Sequence, residues 1–126
     1  MATISEDYVS FEVAKLLKEK GFNEICRAAY TGGGKFITHH NYYSQGGGDE
    51  CVAPTHQMAM KWLREVHNIF IVIEPHIYDY INERNSSYVT SLWQGDNYYE
   101  NVTSKDYSTY EEAVEATLKC VLKTLI

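Results

Sequence analysis

The chain has 126 residues, 44% of them hydrophobic and 22% charged, which suits one domain with a single modest core and excludes global disorder. A net charge of −6 argues against a generic duplex-DNA binder, which needs a basic face to neutralise phosphates. Cys26, Cys51 and Cys120 include no CxxC pair, so they make a poor disulfide framework and a poor zinc site, and a reducing, cytoplasmic setting is expected.

The opening "MATISEDYVSFEVAKLL" is acidic and broken by polar residues, so no signal peptide is expected. Ser10 is a good N-cap for a first helix with Val13, Leu16 and Leu17 on its apolar stripe, and Gly21 falls where the C-terminal cap belongs. Strands are expected over 24–30 ("EICRAAY") and 35–43 ("KFITHHNYY"), with "TGGG" as the hairpin turn between them. "SQGGGDE" then reads as a mobile loop. Thr55 caps a second helix in "PTHQMAMKWLREVHN", where Ala59, Trp62, Leu63 and Val66 follow helical spacing and Asn68 marks the end.

The run "IFIVIEPHIYDYI" (69–81) is apolar and β-branched but too short to span a membrane. Pro75 must break that strand, bulge it or place it on an edge. "SYVTSLWQG" (87–95) alternates well enough to pair with it across "NERN", and a short extra strand is expected over 98–102. Ser108 and Glu111 spell a capping box for a last helix, whose buried face is Val114, Leu118, Val121, Leu122 and Leu125. The order α-β-β-α-β-β-(β)-α lacks βαβ alternation. It predicts a single α+β domain over 1–126, with a mainly antiparallel sheet and helices packed against it.

Five histidines invite a metal reading, but His39 and His40 are strand neighbours and should point to opposite faces unless a bulge intervenes. His56 and His67 are eleven residues apart on a helix, roughly 16 Å at 1.5 Å per residue. Cys51, between a glycine loop and a helix start, is a candidate thiolate with His40 or His56 as base, although its surroundings match no local signature of a thiol enzyme. "TGGGKF" lacks the spacing of a phosphate loop, whereas "GGGDECVAPTHQ" does lead into a helix N-terminus, with Asp49 and Glu50 opposing an anion there.

Gln57, Lys61 and Arg64 lie on one face of the second helix, opposite its apolar stripe, and form either a solvated surface or an anion-recognition surface. Eleven tyrosines serve equally as strand formers or as recognition residues, and Trp93 reads as core or as a stacking platform.

The stretches "FEVAKLLKEKGF", "APTHQMAMKWLREVHNI" and "YEEAVEATLKCVLKTLI" resemble a family of short proteins carried by phages and prophages of gut bacteria. In that family a helix with a Pro-Thr start and a W-L-R-E-x-H segment precedes an apolar strand, and a Y-E-E-A helix closes the chain. The resemblance runs in order over most of the length and departs at "QGGGDE" and in the tyrosine load. It implies the cytoplasm of a bacterial host and assigns no catalytic residues.

In that setting a small protein without evident catalytic machinery is expected to act by binding, without a cofactor or a metal. The sharpest expectation is sequestration of a small anionic, nucleotide-like ligand such as a host defence signal, in a pocket at a homo-oligomer interface. Its residues would come from His40, Tyr42, Tyr43, Gly47, Gly48, Thr55, His56, Gln57, Lys61, Arg64, Trp93, Tyr98 and Tyr99. One alternative is a module that masks a host protein, which predicts an exposed apolar or acidic patch. Another is a small Cys/His-dependent enzyme, which predicts Cys51 or a carboxylate within hydrogen-bond reach of a histidine in a cleft.

Overall fold

Residues 4–43, 48–80 and 83–126 of the chain are described in a computed structural model. Phe11–Glu19 forms α1, where the Ser10 hydroxyl accepts the Val13 N–H and Val13, Ala14 and Leu17 are buried. At its end the N–H groups of Gly21 and Phe22 return to the carbonyls of Lys18 and Leu17, a Schellman stop that drives Phe22 into the core.

His56–His67 forms α2, capped by the Thr55 hydroxyl accepting from Met58 N–H at 3.1 Å and ended by Asn68 in the left-handed region. The expected stripe is corrected at Val66, which is 59% exposed. The buried face runs instead through His56, Ala59, Met60 and Leu63, with Trp62 edge-on to Phe22 at 5.4 Å. That face continues to His67, which is half-buried with its ring 4.8 Å from that of Trp62.

Tyr110–Thr124 forms α3, whose start also corrects the expected cap by one residue. The Thr109 hydroxyl accepts the Glu112 N–H at 3.1 Å, and Ser108 instead donates to the Glu112 carboxylate. Two overlapping capping sequences compete here, and the one with its acid one position later prevails. Val114, Leu118, Val121 and Leu122 are buried as expected, with Leu125 partly buried against them.

Among the described residues the strands divide into two antiparallel sheets. The first has order β2-β1-β3, with β1 Cys26–Tyr30, β2 Phe36–Tyr42 and β3 Cys51–Val52. The "TGGG" turn closes the β1–β2 hairpin through Thr31 N–H to Lys35 O and Gly34 N–H to Thr31 O. β3 was not expected: two residues cannot show alternation, yet both are buried and pair with Ala29 and Tyr30. Strict alternation also fails in β2. Between the pairs Cys26–Tyr42 and Ala28–Thr38 two steps of β1 face four of β2, and His39 takes φ 77°. A bulge therefore sits at the two histidines, both of them exposed.

The second sheet has order β4-β5-β6, with β4 Ile69–Tyr80, β5 Glu83–Gln94 and β6 Asn97–Glu100. Pro75 is accommodated because β4 is an edge strand. Glu83, Arg84 and Asn85 of the expected "NERN" turn are paired in β5, and its first residue, 82, lies outside the described residues. One inner face of this sheet, with Ile69, Leu92 and Thr90 fully buried, packs against α2 and α3, and a single apolar cluster joins all three helices to both sheets.

Candidate functional site

Because directly paired residues share a face, the register of β4, β5 and β6 sorts their side chains. Ile69, Ile71 and Ile73 of β4 and Thr90 and Leu92 of β5 face the helices. Phe70, Trp93 and Tyr98 are mutually paired and face outward in one cross-strand row. They are 42%, 43% and 44% exposed, and the rings of Trp93 and Tyr98 lie 4.8 Å apart at 43°. The next outward row is Val72, Ser91 and Glu100, followed by Glu74 with Val89 and His76 with Ser87.

Beyond β6 the chain turns back, so that Val102 N–H reaches Thr90 O and Tyr107 exchanges two backbone hydrogen bonds with Tyr88. This return brings Asn101 and Asp106 beside the outer face and forms a groove of about 360 Å³. Glu74, Glu100 and Asp106 line it together with Tyr98, Ser91 and His76. The Asp106 carboxylate is steadied by the Ser87 hydroxyl at 3.4 Å. The result is an aromatic row ending in an acidic groove.

A second concavity of about 660 Å³ lies where the N-terminal segment, α2 and α3 meet, lined among others by Tyr8, His56, Lys105, Tyr107, Glu115 and Lys119. At its base the His56 Nε2 and Glu115 Oε2 atoms are 2.7 Å apart, and Ser10 N–H donates to the same oxygen at 3.1 Å. Burial pushes the Glu115 carboxyl up, but hydrogen bonds from His56 and Ser10 outweigh it and hold the group below its ordinary value. This is the carboxylate-to-histidine arrangement that the enzyme alternative required. The hydroxyl beside it, on Ser10, already accepts from Val13 N–H as a helix cap.

The expected site residues fall on several parts of the fold. His40 stands at the β2 bulge with its ring 6.1 Å from Tyr42, the Tyr42 hydroxyl donates to Thr38 O, and Tyr43 is exposed just past the strand. Gly47 lies outside the described residues, while Gly48 and Glu50 are fixed by Lys18, whose ammonium donates to both carbonyls at 2.6 and 2.7 Å. Thr55 and His56 begin α2. Gln57 lines a small depression of about 180 Å³ with Thr55 and Tyr110, whereas Lys61 lines a different one of about 250 Å³ with Trp62 and Glu65. Arg64 is exposed on the same helix. Trp93 and Tyr98 come together on the outer sheet, and Tyr99 points to the opposite face.

Cys51 is buried in β3, and burial pushes its thiol up, with Lys18 and Lys15 offsetting this in part. That works against a thiolate nucleophile. Asp49 packs where a side chain on Gly32 would stand, its Cβ 2.8 Å from that position, so a carboxylate overlies the first glycine turn. Among the described residues no group of three or more His, Cys, Asp or Glu side chains is placed to hold a metal. Among them, too, no helix is long and apolar enough to cross a membrane.

Sequence reasoning passed over Phe70, Glu74, Glu100, Asp106 and Glu115. Phe70 was hidden in the run "IFIVI", although period-two counting from Ile69 turns it outward. No local signal marks Glu115, because its partner His56 is 59 residues away. No family model, curated protein or solved structure matches the chain.

Proposed function

We propose that this protein is a non-enzymatic interaction module that holds its partner on the outer face of β4–β6. The observation that carries this reading is the exposed row Phe70–Trp93–Tyr98. Aromatic side chains of 150–250 Å² each, a little over two-fifths exposed, leave on the order of 250 Å² of ring surface in water. Covering it is worth several kcal/mol at about 25 cal/mol per Å², before the entropy of association is subtracted. Tyrosine and tryptophan also lose little side-chain freedom when they anchor a partner. In the phage setting that the helix segments resemble, such a module would mask a host protein.

Sequestration of a nucleotide-like anion draws less support from this geometry. Lys61 and Arg64 belong to α2, which packs against the face of the sheet opposite the aromatic row, and the groove that adjoins the row carries three carboxylates. A second reading, a small histidine-dependent enzyme, is favoured by the His56–Glu115 hydrogen bond in the larger cleft. Against it, Ser10 is occupied as a cap and Cys51 is buried in β3.

The test is a thermal-shift screen of the intact chain against cyclic and NAD-derived nucleotides, peptides and oligosaccharides, repeated with Trp93→Ala. A binder is expected among the peptides or oligosaccharides, to raise the melting temperature of the wild type and to leave the variant unmoved. A nucleotide that stabilises both proteins equally would sink the proposal and restore sequestration elsewhere on the fold.

A further inference from the structure

We infer that the partner held on this face is a cationic, arginine-bearing peptide segment of another protein. The inference rests on the interaction-module reading and adds the chemistry of what is bound. Glu74, Glu100 and Asp106 border one groove with Tyr98, and the Trp93 ring lies 4.8 Å from that of Tyr98. The whole chain carries a net charge of −6, so its far field attracts the same sign of partner as the groove does.

A guanidinium matches both halves of the site. It is planar and weakly hydrated, so it stacks on an exposed indole or phenol, and its five N–H donors fit carboxylates two at a time. Alternate residues of an extended peptide project to the same side at roughly 6.8 Å spacing, from about 3.4 Å per residue. That spacing can place one arginine on the aromatic row, the next over Glu100 and a third over Glu74, which lie in the two following outward rows. A second copy of this chain fits worse. Packed about a two-fold axis, it would bring the same three carboxylates to the interface and supply no charge to balance them. An anionic ligand meets the same repulsion, and a neutral sugar would use the rings while leaving the carboxylates without a counter-charge.

The experiment measures binding of a fluorescently labelled nonapeptide alternating arginine and serine to the 126-residue chain. It is repeated with a citrulline-for-arginine peptide, a lysine-for-arginine peptide and a neutral oligosaccharide. Expected is a dissociation constant that rises with salt, weakens about tenfold in Trp93→Ala and in Tyr98→Ala, and weakens about tenfold or more in the Glu74→Gln/Glu100→Gln double variant. The lysine peptide should bind more weakly than the arginine peptide, and the citrulline peptide should not bind. Far-UV circular dichroism checks that each variant is folded, and the two aromatic variants, on different strands, guard against a local collapse of either one.

Trp93-dependent binding of the citrulline peptide or the oligosaccharide would overturn the partner class while leaving the face as the site. Arginine binding that ignores both aromatic substitutions would overturn the face itself, as would a dimer in sedimentation velocity that dissociates in Trp93→Ala. Absence of Trp93-dependent binding by any probe counts against both.

Discussion

His56 Nε2 and Glu115 Oε2 meet at 2.7 Å, and because Ser10 N–H donates to the same oxygen, one carboxylate joins the starts of α1 and α2 to the middle of α3. The adjoining backbone is held as well, with His56 N–H on Asp7 O and Val9 N–H on Pro54 O. Replacing Glu115 by alanine strands a buried imidazole and a helix-start N–H. The expected loss is about 2–3 kcal/mol of unfolding free energy in urea titration. A loss no larger than that of an exposed control such as Glu19→Ala would mean that the three-way junction contributes nothing to stability.

The same carboxylate sets a pH dependence. Its folded value lies below its ordinary value of 4.5, despite burial, because His56 and Ser10 hydrogen-bond the charged form. A group of this kind stabilises fully above its unfolded value, and the contribution drains as pH falls through the folded value. Stability should therefore decline on acidification below about pH 4.5. Glu115→Gln should start lower at neutral pH and decline less steeply. Glu12 is held below its ordinary value by Lys119 and Lys123, but it is an exposed surface group. Glu12→Gln should accordingly flatten the acid limb much less than Glu115→Gln. Equal limbs in the wild type and in Glu115→Gln would refute the assignment.

Thiol chemistry separates the three cysteines. Burial, followed by the charge of Glu24, pushes the Cys26 thiol up to about 11, and Cys51 is buried and pushed up as well. Cys120 is half-buried on α3 with its sulfur 3.8 Å from the Thr124 hydroxyl. Ellman titration of the native protein near neutral pH should show one fast thiol and two that react only on unfolding. Cys120→Ser should remove the fast phase. Its persistence would place the reactive thiol in the β2-β1-β3 sheet and revive Cys51 as a nucleophile.

The β1–β2 turn offers a paired test of backbone strain. Gly34 sits at φ +87°, and a Cβ there would lie 3.0 Å from the Phe11 ring, whereas at Gly33 nothing stands within 4 Å and φ is ordinary. Gly34→Ala should cost about 1–2 kcal/mol, and Gly33→Ala should fall within about 0.5 kcal/mol of wild type. Equal effects in chemical denaturation would show that the ring moves aside and that the left-handed turn is not fixed.

What the sequence made legible follows from the range over which each signal acts. The starts of α1 and α2 rest on Ser10 and Thr55 bonding three residues ahead, and the end of α1 rests on Gly21, all local features. β3 is two residues long and exists only because Ala29 and Tyr30 offer it a partner. The Thr109 start of α3 beats Ser108 by one position, a difference that the letters alone do not decide. The bulge at His39 is set by register against β1, so alternation alone could not decide whether that exception applied. The candidate site is non-local throughout: Phe70, Trp93 and Tyr98 become neighbours only when three strands align. Alternation in "SYVTSLWQG" did place Trp93 opposite Leu92. Which of those faces the helices cover depends on α2 and α3, and this is why Trp93 stayed open between core and platform.

The exposure of that platform can be read directly from tryptophan emission. The chain has two tryptophans, and they sit in opposite environments: Trp62 is 7% exposed against Phe22 and His67, and Trp93 is 43% exposed on the outer sheet. Acrylamide should quench the native protein in two components, an accessible one from Trp93 and a shielded one from Trp62. Trp93→Phe should abolish the accessible component and change stability by less than about 1 kcal/mol, since a ring remains in the row. Trp62→Phe should keep that component and cost more, because a shortened side chain leaves a cavity in the core. If Trp93→Phe instead leaves the quenching curve unchanged, the outer face is covered in solution. The aromatic row would then belong to an assembly of this chain and would not be free to receive a partner.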